Sequence, residues 1–246
     1  MKTLKLNLII ALFLIASFSH AQTADWLWAK QGTGTGHNEG KAVVSDQSGN
    51  IYVVGQYSGT ATFGTISLYG GNMFLAKYDD TGNVIWVRSV SGTITYATYD
   101  IDIDSDNNLY VTGTLSSSAN FGGINLTTHG SNDVFIAKYN SSGNLIWAKN
   151  YGGSKYDDVK SVSVDGSHNI IITGSFYDNT DFGSGSYYSK GQSDIYVAKF
   201  DSSGTLSWFI TNGGKGIDKG NGTALDKDGN IYIGGDFGDT CKFGNT

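Results

Sequence analysis

The chain has 246 residues, with 22 acidic against 16 basic side chains for a net charge of −6, no proline, and one cysteine, Cys241. An acidic chain whose sole arginine is Arg88 is not built to bind nucleic acid, and a single cysteine excludes an intramolecular disulfide. Glu39 is the only glutamate, so the acidity is carried by aspartate, a residue that caps turns as readily as it binds ligands.

Residues 1–21 read as a Sec signal peptide. Lys2 and Lys5 form the basic start, Leu6 to Phe18 the apolar run, and Ser19-His20-Ala21 the small-residue cleavage site. The apolar run is too short to span a bilayer comfortably, and no later segment is a transmembrane candidate. The mature chain, residues 22–246, is therefore expected to be secreted or held at the cell surface.

From Trp28 onward the sequence repeats. Trp28, Trp86, Trp147 and Trp208 are spaced 58, 61 and 61 residues apart. Asp46, Asp104, Asp165 and Asp226 keep the same beat. So do Gly55, Gly113, Gly174 and Gly235, the asparagines Asn50, Asn108, Asn169 and Asn230, and the Phe-Gly pairs that begin at Phe63, Phe121, Phe182 and Phe243. One unit of about 60 residues recurs, at approximately 26–85, 86–146, 147–207 and, in part, 208–246.

Each unit reads as four short strands. The first carries the tryptophan, as in Asn144-Leu-Ile-Trp-Ala-Lys149. The second ends at the aspartate, as in Lys160-Ser-Val-Ser-Val-Asp165, and its Val/Ser alternation predicts one buried face. The third, as in Asn50-Ile-Tyr-Val-Val-Gly55, is apolar throughout, which predicts an inner strand covered on both faces. The fourth is Val134-Phe-Ile-Ala-Lys-Tyr139 and its copies. Tight turns separate the strands: Asp46 to Asn50 and Asp226 to Asn230 join the second and third, and residues 79–83, 140–144 and 201–205 join the fourth to the next tryptophan strand. In each an Asx side chain caps backbone N–H groups, and glycine supplies positive φ in most. No stretch of the mature chain has helical periodicity.

Four-stranded units in tandem predict an all-β chain and suggest a β-propeller whose blades stack face to face, with each tryptophan packed between neighbours. Three full blades and a partial fourth make an apparently incomplete ring. That count raises the expectation of further C-terminal blades, with this chain the N-terminal part of a longer protein.

The run Asp-(Ile/Val)-(Phe/Tyr)-(Ile/Val)-Ala-Lys-(Tyr/Phe), then Ser-Gly-Asn-Leu-Ile-Trp, Gly-Gly and Asp-x-x-Gly-Asn-Ile-Tyr-Val-x-Gly resembles the SBBP β-propeller repeat family of secreted bacterial proteins. The resemblance is clearest over 133–174 and covers nearly all of the mature chain. It implies a propeller fold in an exported or surface protein and implies no activity. The first copy departs from the pattern with Met73 where Asp133 and Asp194 stand, and the second has Ser91-Gly92 in place of Gly-Gly.

Residues able to carry chemistry are sparse. His37, His129 and His168 fall at non-equivalent repeat positions without ligand spacing. Gly32-Thr-Gly-Thr-Gly36 follows a strand without opening a helix and reads as a flexible loop, and Cys241 aligns with the small positions Ala61, Ala119 and Thr180. Glu39, Asp157, Asp158 and Asp218 fall at matching offsets before the repeat aspartate. If their loops line one mouth, they are candidate Ca²⁺ ligands; the simpler reading is that they cap turns. Tyr96, Tyr99, Tyr151, Tyr156, Tyr187 and Tyr188 are candidate platforms for a sugar, or packing elements. The expected function is a non-catalytic binding or scaffold module for an extracellular glycan or protein, with no resident cofactor. The alternatives are a carbohydrate-active lyase or hydrolase working at the propeller mouth and a structural spacer in an adhesin-like protein.

Overall fold

A computed structural model describes residues 27–94, 100–239 and 241. The signal-peptide segment, Tyr96, Tyr99 and Phe243 lie outside the described residues. Among those described there is no helix, and so none long and apolar enough to cross a membrane.

After β1 (Thr33–Thr35) come β2 (Asn38–Ser45), β3 (Ile51–Tyr57), β4 (Thr60–Phe63), β5 (Ile66–Tyr69), β6 (Met73–Tyr78) and β7 (Val84–Ile94). The second unit supplies β8 (Asp100–Ile103), β9 (Leu109–Asn120), β10 (Asn125–Thr127), β11 (Asp133–Tyr139) and β12 (Leu145–Tyr151). The third supplies β13 (Asp157–Val164), β14 (Ile170–Phe176), β15 (Asn179–Asp181), β16 (Ser186–Tyr188), β17 (Asp194–Phe200) and β18 (Leu206–Asn212); β19 (Asp218–Leu225) and β20 (Ile231–Phe237) follow.

The antiparallel ladders run β2-β3-β6-β7, β8-β9-β11-β12 and β13-β14-β17-β18, with β19-β20 as a two-stranded fourth. The last residues of β7 also pair with β9, which joins the first two ladders into one sheet. Each ladder thus begins at the aspartate strand and ends at the next tryptophan strand, one strand out of phase with a unit counted from tryptophan. The physical reason lies in the turns. The Asx-Gly turn before each tryptophan strand is a hairpin that holds it to the strand before it, whereas the Gly-Gly segment after it leaves the ladder and crosses to the next unit.

That crossing explains the glycines. A Cβ on Gly34, Gly92 or Gly153 would strike the backbone of Thr60–Ala61, Ser118–Ala119 or Asn179–Thr180. The predicted flexible loop at residues 32–36 is accordingly a strand: β1 pairs antiparallel with β4, Gly34 opposite Ala61. A second departure from the four-strand reading is a hairpin between the third and fourth strands of each unit, formed by β4–β5, the end of β9 with β10, and β15–β16. The repeated phenylalanine ends its first arm, or immediately follows it. Phe63, Phe121 and Phe182 are buried on Phe74, Phe135 and Tyr196, with ring centroids 4.7, 4.9 and 4.8 Å apart.

The core lies between ladders. On β11, Phe135, Ala137 and Tyr139 face the cluster shared with the first unit, while Val134 and Ile136 face the cluster shared with the third. On β9, Leu109 and Val111 point one way and Tyr110 the other. Strands that are apolar on both faces are required because the period of two places successive side chains on opposite sides of a sheet packed on both sides. Each such fully buried side chain contributes roughly 1.5–3 kcal/mol.

Candidate functional site

The junctions between units hold most of the buried polar groups. Trp86 Nε1 donates to the Ser141 carbonyl at 3.2 Å, and Trp147 Nε1 to Ser202 at 3.2 Å. Trp28 does the same to the Asp80 carbonyl at 3.0 Å. Each indole therefore sits on the Asx-Gly turn of the following unit, with Gly82, Gly143 and Gly204 flat against its ring. Those turns are closed by Asp79, Asn140 and Asp201, and the turns between the second and third strands are closed in the same way by Asp46, Asp104, Asp165 and Asp226. Asp104 accepts the N–H groups of Asp106 and Asn108, the Asn108 amide and the Tyr110 hydroxyl. Burial alone would raise the Asp104 pKa, yet these bonds hold it below the usual carboxylate range. Gly55, Gly174 and Gly235 lie against the backbone of Glu39, Asp158 and Lys219, beside the bulges that interrupt β2, β13 and β19.

The four carboxylates that sequence spacing singled out occupy equivalent places at the starts of β2, β13 and β19, but each is committed locally. Glu39 is exposed to His37, Lys41 and Gln56 at 3.0, 2.9 and 3.2 Å. Asp157 accepts the Gly153 N–H. Asp158 accepts Ser175 N and Oγ and pairs with Lys160 at 2.9 Å. Asp218 accepts the N–H groups of Gly214 and Gly238. Among the described residues no group of three or more histidine, cysteine or acidic side chains forms a metal-ligating set.

What spacing alone did not reveal is a second partner for two of these acids. Backbone bridges join Asn132 to Tyr156 and Ser193 to Ile217 across consecutive ladders. The next residues are then side by side: Asp133 with Asp157, and Asp194 with Asp218. All four are fully buried. Gly152 separates the first pair, and a Cβ there would lie 2.7 Å from Asp133 Oδ1 and 2.9 Å from Asp157 Oδ2. Oδ1 of both Asp133 and Asp157, and Oδ2 of Asp194, have no hydrogen-bond partner. Burial pushes the Asp157 carboxyl up to about 7, and Asp133 and Asp158 add to it. The sequence carries one trace of it: the first unit has no aspartate where Asp133 and Asp194 stand, and Tyr96 stands in the sequence position of Asp157 and Asp218.

The aspartate strands that begin the ladders carry a further pair. Asp100 and Asp102 of β8 accept the N–H groups of Val162 and Val164 of β13 at 2.9 and 2.7 Å, and Ser163 of β13 donates to the Thr223 carbonyl of β19. Burial raises both aspartate pKa values against these bonds.

Of the tyrosines proposed as platforms, Tyr151 is buried and donates to Gly204, and Tyr187 packs on Phe209. Tyr188 is exposed. Tyr156 meets Tyr177 edge to face at 6.0 Å in an open cleft of about 490 Å³ whose rim includes Lys155, Asp178 and Gln192. Cys241 is a free thiol, half-buried, 3.6 Å from Asn212 Oδ1.

No protein-family model matches the chain. It is similar to an uncharacterized WD repeat-containing protein of Acanthamoeba polyphaga mimivirus, 28% identical over 155 residues, which are 56% of this chain and 11% of that protein. It is also similar to the regulatory protein FlaEY of Caulobacter vibrioides, 26% identical over 117 residues, 43% of this chain and 12% of that one. The matched regions are thus small parts of much longer relatives. The WD-repeat likeness and the stacked antiparallel ladders together make this a repeat protein of all-β build.

Proposed function

We propose that the chain is a β-propeller-type repeat module of the secreted bacterial kind, exported by its leader, that works as a non-catalytic binding or scaffold element. The observation that carries this reading is the succession of the aspartate strands that begin the ladders. β2 touches β8, β8 touches β13 and β13 touches β19, each at the aspartate end of its ladder, as blades do around one axis. The WD repeat-containing relative supports the same arrangement. Small-angle X-ray scattering of the purified chain tests it: a curved array gives a short maximum dimension, and a straight stack of ladders gives a longer one and sinks the reading.

The Tyr156–Tyr177 corner is where a glycan would be held, by stacking on the rings and hydrogen bonds to Lys155, Asp178 and Gln192. The buried pairs Asp133–Asp157 and Asp194–Asp218 are sealed from solvent, so they lend no support to glycoside cleavage. A glycan retained on an array by the wild-type chain and lost by Tyr177→Ala supports the binding role. A folded wild-type chain that retains none removes it.

A further inference from the structure

The third strand of each unit is flanked on both edges in three copies. On the outer edge β3, β9 and β14 take β6, β11 and β17, with Gly55 opposite Phe74, Gly113 opposite Phe135 and Gly174 opposite Tyr196. The fourth copy, β20, has Gly235 in the same place and pairs among the described residues with β19 alone. Beside it lies an open cleft of about 540 Å³ lined by Ile195, Val197, Ile210, Ile231, Ile233 and Phe237. At the preceding junction Tyr196 and Ala198 of the flanking strand β17 pack into the core with Ile170 and Ile172 of β14.

Trp208 stands at the same edge. Trp28, Trp86 and Trp147 each bond to the turn that directly follows that flanking strand in the next unit. Trp208 is half-buried, and no such turn lies among the described residues to receive its indole. Lysine repeats the pattern. Lys77 and Lys138 lie 5.0 and 4.8 Å over the rings of Tyr52 and Tyr110 and reach the carbonyls of Ser141 and Ser202. Lys199, at the equivalent place, pairs with Asp165 at 2.8 Å. On the fourth unit Tyr232 donates to Asp226 and is 58% exposed, an aromatic ring and a carboxylate set to receive one ammonium group.

We propose that the outer edge of β20, with Tyr232, Asp226 and the Trp208 indole, is a docking surface for an extended polypeptide segment of the chain's own type: Asp-apolar-aromatic-apolar-Ala-Lys-aromatic, followed by an Asx-Ser-Ser-Gly turn. The strand adds antiparallel to β20, its lysine lies over Tyr232 beside Asp226, and the serine carbonyl of its turn accepts from Trp208 Nε1. Main-chain bonds supply affinity, and the alternate side chains supply selectivity. This surface follows from the internal repetition and stands independently of export or of glycan binding.

The test uses a labelled peptide with the sequence of residues 194–205, Asp-Ile-Tyr-Val-Ala-Lys-Phe-Asp-Ser-Ser-Gly-Thr, titrated into the purified chain. Saturable one-to-one binding is expected, with a blue shift of indole emission that vanishes in Trp208→Phe. Replacing lysine by glutamate in the peptide should weaken binding about tenfold, the equivalent of one charge-assisted contact. Because that change is in the peptide, it leaves the protein's folding untouched. Binding no tighter than that of a scrambled peptide, by a chain with an intact melting transition, overturns the proposal. A self-associated chain that buries Trp208 and excludes the peptide also overturns it, in favour of a second copy in another geometry.

Discussion

Asp133 and Asp157 stand side by side across the junction of the second and third ladders, both sealed from water, each with one carboxylate oxygen that no N–H or O–H reaches. The backbone bridge at Asn132 and Tyr156 forces the approach, and the bare Cα of Gly152 permits it. Two like charges in a dry site are unfavourable, and a proton on Asp157 removes one of them.

Stability should therefore fall as pH rises from about 4 to about 7. The Asp157 pKa is raised from 3.8 to about 7, so its protonated form stabilises the fold; that contribution is complete below about 4 and is lost as pH rises through about 7. The loss amounts to about 4 kcal/mol at most. Asp165, held at about 2 by Lys199 and Asn169 against its burial, acts in the opposite sense and weakens the fold only as pH drops from about 4 toward 2. Thermal melts from pH 4 to 9 should show a midpoint that falls between about 4 and 7 and levels off above, and Asp157→Asn should flatten that fall. A midpoint unchanged from pH 4 to 7 in the wild type would refute the argument.

The tryptophans should differ in weight by position. Trp86 is buried and docked on the turn at 141, so Trp86→Ala should cost about 3–5 kcal/mol. Trp86→Phe, which keeps a ring but loses the bond to Ser141, should cost about 1–2 kcal/mol. Trp208→Ala, with no described turn beneath it, should cost less than Trp86→Ala. Denaturant titrations of the three variants give the order directly.

Glycine substitution separates close approach from open space. In Gly153→Ala the new methyl meets the Asn179 carbonyl and Thr180 Cα, and a loss of more than about 2 kcal/mol is expected. Gly222 has nothing within 4 Å, so Gly222→Ala should stay within about 0.5 kcal/mol of wild type. Equal effects at both sites would show that the crossing at Gly153 has room to spare.

Removal of divalent cations is expected to leave the melting midpoint unchanged. Glu39, Asp158 and Asp218 spend their oxygens on neighbours within or beside their own ladder, and Asp157, whose Oδ1 has no partner, is sealed from solvent beside Asp133. A midpoint that rises by several degrees with millimolar Ca²⁺ and falls with chelator would show that these acids gather around an ion.

The sequence by itself determined the strand content, the 58- and 61-residue beat, the turn chemistry and the burial of the third strand on both faces. Each of these is a local property. Period-two patterning and Asx-Gly turns act over fewer than ten residues, and repetition states them four times. The short hairpin whose first arm runs up to Phe63, Phe121 or Phe182 escaped notice because its arms pair over only three or four residues, too few to show a period, and are held by pairing and by one buried ring. Only the tertiary structure decided which strand belongs to which ladder, because the tryptophan strand hydrogen-bonds backward while its indole packs forward onto the next turn. Only it brought Asp133 to Asp157, twenty-four positions apart, through a two-residue bridge that no periodicity announces. The fold was legible because it is written in local pattern. The acidic junctions were not, since they depend on contacts between units, where sequence distance says nothing about which side chains meet.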